Sequence, residues 1–240
     1  MTDRRAHIFF GAGGIADDVI DRGAKCLSKK HLENFKLIGA EEFSDQIRPA
    51  LLNRRAYISD EIPSFAGSED VLVLSRPKFL SEGKPSNLQT DFSKHDLKLR
   101  RLLDVFSPMN ITCHFAVQDH CSYLMNRKTK NFPIDILGGS SWFPIVSFLK
   151  NAASNYINAE VKVWDLSQDN DDVLYFLASI FACSVDTFMS DKSISSRVEQ
   201  KPKFWVRQER RAEDLGWDLL DLDIAFERDV QRLDFAVDAE

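Results

Sequence analysis

The sequence predicts an α/β fold: a mainly parallel sheet flanked by helices, with a helical C-terminal extension. Three observations carry this. Short apolar runs of strand length alternate with stretches of helical spacing along the chain. The run Val71-Leu72-Val73-Leu74-Ser75 is continuously apolar, the mark of a strand covered on both faces. The first strand ends in Gly11-Ala12-Gly13-Gly14 and gives way to a helical pattern. The chain is one domain over residues 1–240, with an α/β core at 1–189 and a loop with C-terminal helices at 190–240.

Each element follows from its pattern. His7-Ile8-Phe9-Phe10 is the first strand; Ile15, Val19, Ile20, Ala24 and Leu27 then recur near helical spacing up to Lys29-Lys30. Asp17 and Asp18 in the first turn and the two lysines in the last suit the helix dipole. Phe35-Lys36-Leu37-Ile38 is a second strand, and residues 47–56 read as a helix with Pro49 in its first turn. The third strand is Val71–Ser75. After a polar loop, Leu97, Leu99, Leu102, Leu103 and Phe106 mark an amphipathic helix with Lys98, Arg100 and Arg101 outside. Ile111–Val117 is the fourth strand, followed by a helix over 119–127. Residues 140–155 form a helix carrying Trp142, Ile145, Phe148 and Leu149; Val161-Lys162-Val163-Trp164 is the fifth strand; residues 173–183 form an apolar helix. A polar loop over 190–203 leads to two charged helices, 204–215 and 217–233.

Composition excludes several functions. With 44% hydrophobic and 28% charged residues the chain is not disordered, and 18 Phe against 10 Gly and 8 Pro indicate an aromatic-rich core. The net charge of −6 argues against a nucleic-acid or anionic-membrane binder. No run approaches the roughly 18 apolar residues that span a bilayer. The start, Met1–Ala6, leads into an apolar run too short for a signal peptide. Cys26, Cys113, Cys121 and Cys183 form no CxxC and read as reduced thiols, so a cytoplasmic location is expected.

The glycine turn is the most informative segment. Such a turn lets the backbone approach a phosphate, and the next helix offers its N-terminal amides. Gly11-Ala12-Gly13-Gly14-Ile15-Ala16 fits GxGxxG/A, so one expectation is a Rossmann-type dinucleotide site. That site needs an acidic residue about 20 positions on, at the end of the second strand. Glu41 and Glu42 are the nearest, late and after Gly39. The turn also fits a plain structural turn holding no phosphate. It is not a Walker A loop, which requires GxxxxGK[ST].

Four blocks in order resemble a family of bacterial sulfotransferase-like P-loop proteins. The loop type G-A-H-K-T-A-T-T aligns without a gap on Gly11–Asp18. A buried strand running into S-S-x-N-F-L aligns with Val71–Leu80. An amphipathic Leu/Arg helix, L-F-P, a strand and R-N-P-A-x-F-L align with Arg100–Pro108 and Phe115–Leu124. A Trp-bearing helix before a strand ending in V-W aligns with Ser141-Trp142 and Val161–Trp164, and a terminal Trp helix with Gly216-Trp217, Phe226 and Asp229. The resemblance implies a fold for the sulfate donor 3′-phosphoadenylyl sulfate, or another nucleotide or small anion. Its pocket would be lined by Gly11, Gly13, Gly14, Ile15, Asp17 and Asp18, by Ser75, and by Gln118 and Ser122. In the same alignment Gly14 stands for the phosphate-binding Lys, Asp17 and Asp18 for the Thr pair, Gln118 for the Arg on the 3′-phosphate, and Pro77 for a Glu in the acceptor cleft. An altered, inactive donor site is therefore expected; if active, the chain would be a transferase.

Other constellations are weaker. His120, just after the fourth strand, is the one candidate general base. Cys113 and His114 are neighbours on a strand, so they point to opposite faces and read as a core thiol and a satisfied core histidine, not a metal pair with His120 and Cys121. Arg76, Lys78 and Lys84, in the loop after the third strand, read as a solvated loop, with a supply of cationic charge above the glycine turn as the alternative. Arg127–Lys130 and the Asp165–Asp172 loop read as solvated surface. The latter lacks the glycine and terminal Glu of a calcium loop, so no metal is expected. A third expectation is a non-catalytic interaction module assembling through the C-terminal helices.

Overall fold

The computed structural model describes residues 4–11, 15–27, 33, 35–38, 42–47, 70–75, 93–117, 142–165, 170–189 and 219–233. Strands β1 (Arg5–Gly11), β2 (Phe35–Ile38), β3 (Asp70–Ser75), β4 (Asn110–Val117) and β5 (Ala159–Asp165) form one sheet in the order β2-β3-β1-β4-β5. Every pairing is parallel. Helices α1 (Ile15–Cys26), α2 (Ser93–Phe106), α3 (Phe143–Ala153), α4 (Asn170–Phe181), α5 (Asp186–Met189) and α6 (Leu219–Val230) complete the described elements, with a π-helical turn at Phe43–Ile47.

Strand periodicity sorts the side chains into two cores. Ala6, Ile8 and Phe10 of β1, the odd positions Ile111 to Val117 of β4, and Val163 of β5 face α2, α3 and α6. Phe9, Ala116 and Trp164 face α1, α4 and α5, where Val19, Ile20, Phe176, Leu177 and Phe188 are buried. A sheet covered on both faces requires apolar residues at nearly every position, and β4 is buried over seven consecutive residues. In α2 the buried residues Leu99, Leu102, Leu103 and Phe106 form an i, i+3, i+4, i+7 stripe, with Val105 buried beside it. Leu97, expected on that stripe, is 56% exposed. Two residues of helix rotate it about 200° away from Leu99.

The C-terminal helix belongs to the first core. Phe226 and Leu233 are buried in it and Val230 packs against it. The buried carboxylate of Asp229 accepts a hydrogen bond from the backbone N–H of Trp142. Trp142 caps the N-terminus of α3 in backbone position, but its indole makes no capping bond. A carboxylate from another helix serves instead, in the favourable sense of the helix dipole. Arg232 lies over the Phe143 ring, 4.1 Å from its centroid. At the other end of α3, the Tyr156 hydroxyl donates to Asp104 at 2.7 Å and Asn158 Nδ2 donates to the Ser107 carbonyl at 2.6 Å, closing the turn before β5 onto the end of α2.

Several expectations change. Residues 170–172, read as part of an acidic loop, open α4, and the short helix α5 had no signal. The helices expected at 47–56, 119–127 and 204–215 and the loop at 190–203 lie outside the described residues, apart from Ile47, which ends the π-helical turn. No helix among the described residues is long and apolar enough to cross a membrane.

Two substitutions test this packing. At Gly23, where α1 meets α4, an added Cβ would lie 2.7 Å from Leu177 Cδ2 and 3.1 Å from Phe181 Cε2. Gly23→Val is expected to cost about 1–3 kcal/mol by overpacking, read as a lower urea midpoint. Asp229→Ala is expected to cost about 1–2 kcal/mol through loss of the remote cap, read the same way, with faster amide exchange in α3 and α6.

Candidate functional site

The carboxyl ends of the central strands meet at one edge. Phe10 is in register with Ser75, Gly11 with Ala116, and Val117 with Asp165. The glycine that ends β1, the serine that ends β3 and the residue before Gln118 are thereby side by side. After β1 the chain enters α1 on one face; the next described helices after β3 and β4, α2 and α3, lie on the other. Neighbouring strands whose helices diverge leave a crevice outside their carboxyl ends, where open parallel sheets bind ligands.

Of the expected pocket residues, Gly11 and Ser75 stand at this edge, and Ile15, Asp17 and Asp18 occupy the first turn of α1, the next described element after Gly11. Gly13, Gly14, Gln118, Ser122 and His120 lie outside the described residues, as do Arg76, Lys78 and Lys84. The last two residues of each strand and the first four of α1 include no Lys or Arg. The first-turn amides of a helix are short of acceptors, and carboxylates placed there are stabilised by the dipole. Among the described residues, this edge and the first turn of α1 thus offer two Asp and no Lys or Arg.

The strand order also departs from the dinucleotide expectation. A Rossmann site requires the second strand beside the first. Here β3 lies between them. Glu42, the expected ribose ligand, is instead paired with Lys36 at 3.1 Å; Glu41 lies outside the described residues.

Beneath this edge, on the α1/α4 face, the sheet holds a polar chain that the sequence did not announce. Trp164 Nε1–H donates to His114 Nδ1 at 3.1 Å, and His114 Nε2 lies 3.0 Å from His7 Nδ1. All three residues are buried. The rings are layered: His7 and His114 have centroids 5.3 Å apart, His114 and Trp164 6.1 Å, and Phe176 of α4 stands edge-on to His114. Indole N–H is only a donor, so His114 must accept at Nδ1 and carry its proton at Nε2. That proton is donated to His7 Nδ1, which places the His7 proton on Nε2. Burial, then His7, then Lys162 hold the His114 pKa well below its ordinary 6.5, so the ring is neutral.

The opposite-face reading of Cys113 and His114 holds: Cys113 lies in the first core. Burial, with Glu160 adding to it, pushes its thiol up to about 12, which makes it inert as a nucleophile or metal ligand. Thr112 is satisfied by donating to Glu160 at 3.0 Å. Among the described residues no three His, Cys, Asp or Glu side chains converge as a metal site.

No protein family, curated protein or solved structure matches the chain. The strand ends and the histidine chain therefore stand on their own geometry.

Trp164→Phe keeps the ring and removes the donor, leaving a buried imidazole nitrogen without its bond. It is expected to lower stability by about 1–3 kcal/mol in chemical denaturation. A cost confined to a few tenths would mean that the bond contributes nothing.

Proposed function

We propose that the chain is a sulfotransferase-like P-loop protein whose donor site is altered and does not hold 3′-phosphoadenylyl sulfate in that family's manner. The observation that carries this reading is the combination of place and charge at the β1–α1 junction. Gly11 ends the central strand at a switch point of a parallel sheet, and a helix starts four positions on, at Ile15. That is where a phosphate loop belongs. The first turn of α1 carries Asp17 and Asp18, where the resembled loop has its Thr pair, and Gly14 replaces its Lys.

Sulfuryl transfer builds negative charge on the bridging oxygen. One positioned donor contributes about 3–4 kcal/mol to such a reaction. Exchanging a lysine for glycine and two hydroxyls for carboxylates moves the potential at the loop the wrong way by at least that much. No transfer step is assigned to these residues.

The test is calorimetric titration of the full chain with 3′-phosphoadenylyl sulfate and with its desulfated product. No saturable binding is expected below about 1 mM, that is, affinity weaker than about −4 kcal/mol. Saturable micromolar binding by the unaltered chain would overturn the altered-site reading. The triple variant Gly14→Lys/Asp17→Thr/Asp18→Thr is expected to gain at least about tenfold in affinity for the desulfated product, about 1.4 kcal/mol. A folded triple variant with no gain would sink the family reading.

A further inference from the structure

The last strand of the sheet carries a row of peptide groups that point away from its neighbour. In a strand, the N–H and C=O of one residue point to one side and those of the next residue to the other. The Ile111 N–H of β4 donates to the Asn158 carbonyl at 2.7 Å, and Ile111 is in register with Ala159. Glu160, Lys162 and Trp164 therefore turn their peptide groups toward β4. Ala159, Val161 and Val163 turn theirs outward. Among the described residues no strand pairs with that outer side, since β5 ends the strand order.

The two edges of the sheet are built differently. β2 is four residues long, and its Lys36 is paired within the chain with Glu42 at 3.1 Å. Shortness and charge are ways of blunting an edge. β5 is seven residues long and has neither proline nor glycine. Its two central charges stay accessible: the Glu160 side chain is 59% exposed and that of Lys162 37%.

We propose that β5 is a dimerisation edge, pairing antiparallel with β5 of a second copy of this chain about a twofold axis at Val161 and joining the two sheets into one. The charges select both the occupant and the register. The outward peptide groups belong to alternate residues, so a twofold pairing must centre on a residue and not between two. Centred on Lys162, it sets lysine against lysine; centred on Glu160, glutamate against glutamate. Like charges directly opposite are destabilising. Centred on Val161, it sets Glu160 opposite Lys162 of the second copy and Lys162 opposite Glu160 of the second copy. Val161 then exchanges peptide hydrogen bonds with its own counterpart, and Ala159 with Val163 of the second copy. Thr112 donates to Glu160 Oε1 at 3.0 Å, and Lys162 of the same strand lies 3.8 Å from that oxygen. A carboxylate accepts at both oxygens, so Oε2 serves the lysine of the second copy. The same register brings the end of the second copy's β5 level with Ile157, an apolar residue fully exposed in the turn before β5.

Sedimentation equilibrium of the full chain between about 1 and 500 μM is expected to show a monomer–dimer equilibrium with a dissociation constant of about 10–100 μM, the range of a small interface. Monomer at every concentration overturns the proposal. Lys162→Glu sets glutamates opposite each other and is expected to weaken association about tenfold. Mixing it with Glu160→Lys restores both opposite-charge pairs in the mixed dimer, and association is expected to recover. Val161→Pro deletes an outward N–H and leaves the bonds to β4 in place, as edge strands tolerate; it is expected to abolish association. A dimer that survives both Lys162→Glu and Val161→Pro uses another surface and overturns the proposal. Should Glu160→Lys not fold, because Thr112 loses its acceptor, amide exchange of the unaltered chain decides. The Val161 and Val163 amides are expected to exchange rapidly in dilute protein and several-fold more slowly at about 500 μM, while the Lys162 amide, bonded to β4, stays protected at both. A Val161 amide equally protected at both concentrations means that the chain covers its own edge, and overturns the proposal.

Discussion

Burial of β4 on both faces is the condition that the rest of the molecule must meet. Seven successive residues of this strand are sealed between two helix layers, and its backbone is paired on both sides by β1 and β5. Any polar side chain in it must find its partner inside the sheet, since an unmet buried polar group costs about 1–3 kcal/mol. Thr112 finds Glu160, and His114 finds Trp164 and His7. These bonds also fix register. A slip of one residue would turn His114 into the apolar core under α2 and α3 and strand it there. The polar chain is therefore a device of specificity as much as of stability.

The same central strands determine where chemistry can occur. Because β1 lies between two strands followed by helices on the opposite face, the edge above Gly11 opens outward and is fixed from below by packed side chains. Rigid strands hold the platform, and loop residues decide what it binds. Gly11 and the histidine layer lie on one strand four residues apart, about 13 Å. The histidine chain and the edge thus share β1.

The parallel sheet was legible in the alternation of elements, and the faces of β4 followed from period two applied to Cys113 and His114. The buried stripe of α2 was legible too, except at Leu97, which was counted by composition and not by angle. Strand order was not legible, because sequence gives succession and not adjacency. The insertion of β3 between β1 and β2 is what removed the dinucleotide expectation. The histidine chain was hidden for the same reason. His7 is in register with Thr112 and reaches His114 diagonally, while Trp164 is in register with Ala116. Three unremarkable strand residues become one chain only when the register is known. Asp229 was named in the terminal block of the resemblance, but its capping role was silent: a carboxylate 87 positions from the amide it caps leaves no local pattern.

Asp229 also bears on the expected anion. Two helix starts follow β1 and β4 in the chain: α1 comes next after β1, and α3 opens at Trp142, whose ring lies 5.9 Å from that of Phe115 on β4. A helix start attracts negative charge, and in parallel sheets such starts commonly hold phosphate. Here α3 already receives a carboxylate from α6, and α1 carries Asp17 and Asp18 in its first turn. A tethered carboxylate competes at high effective concentration with any free anion. An incoming phosphate would have to displace α6 from one start or overcome two charges at the other. At α3 the electrostatic opportunity of a helix start is thus taken by the chain's own Asp229 and not left to a free anion.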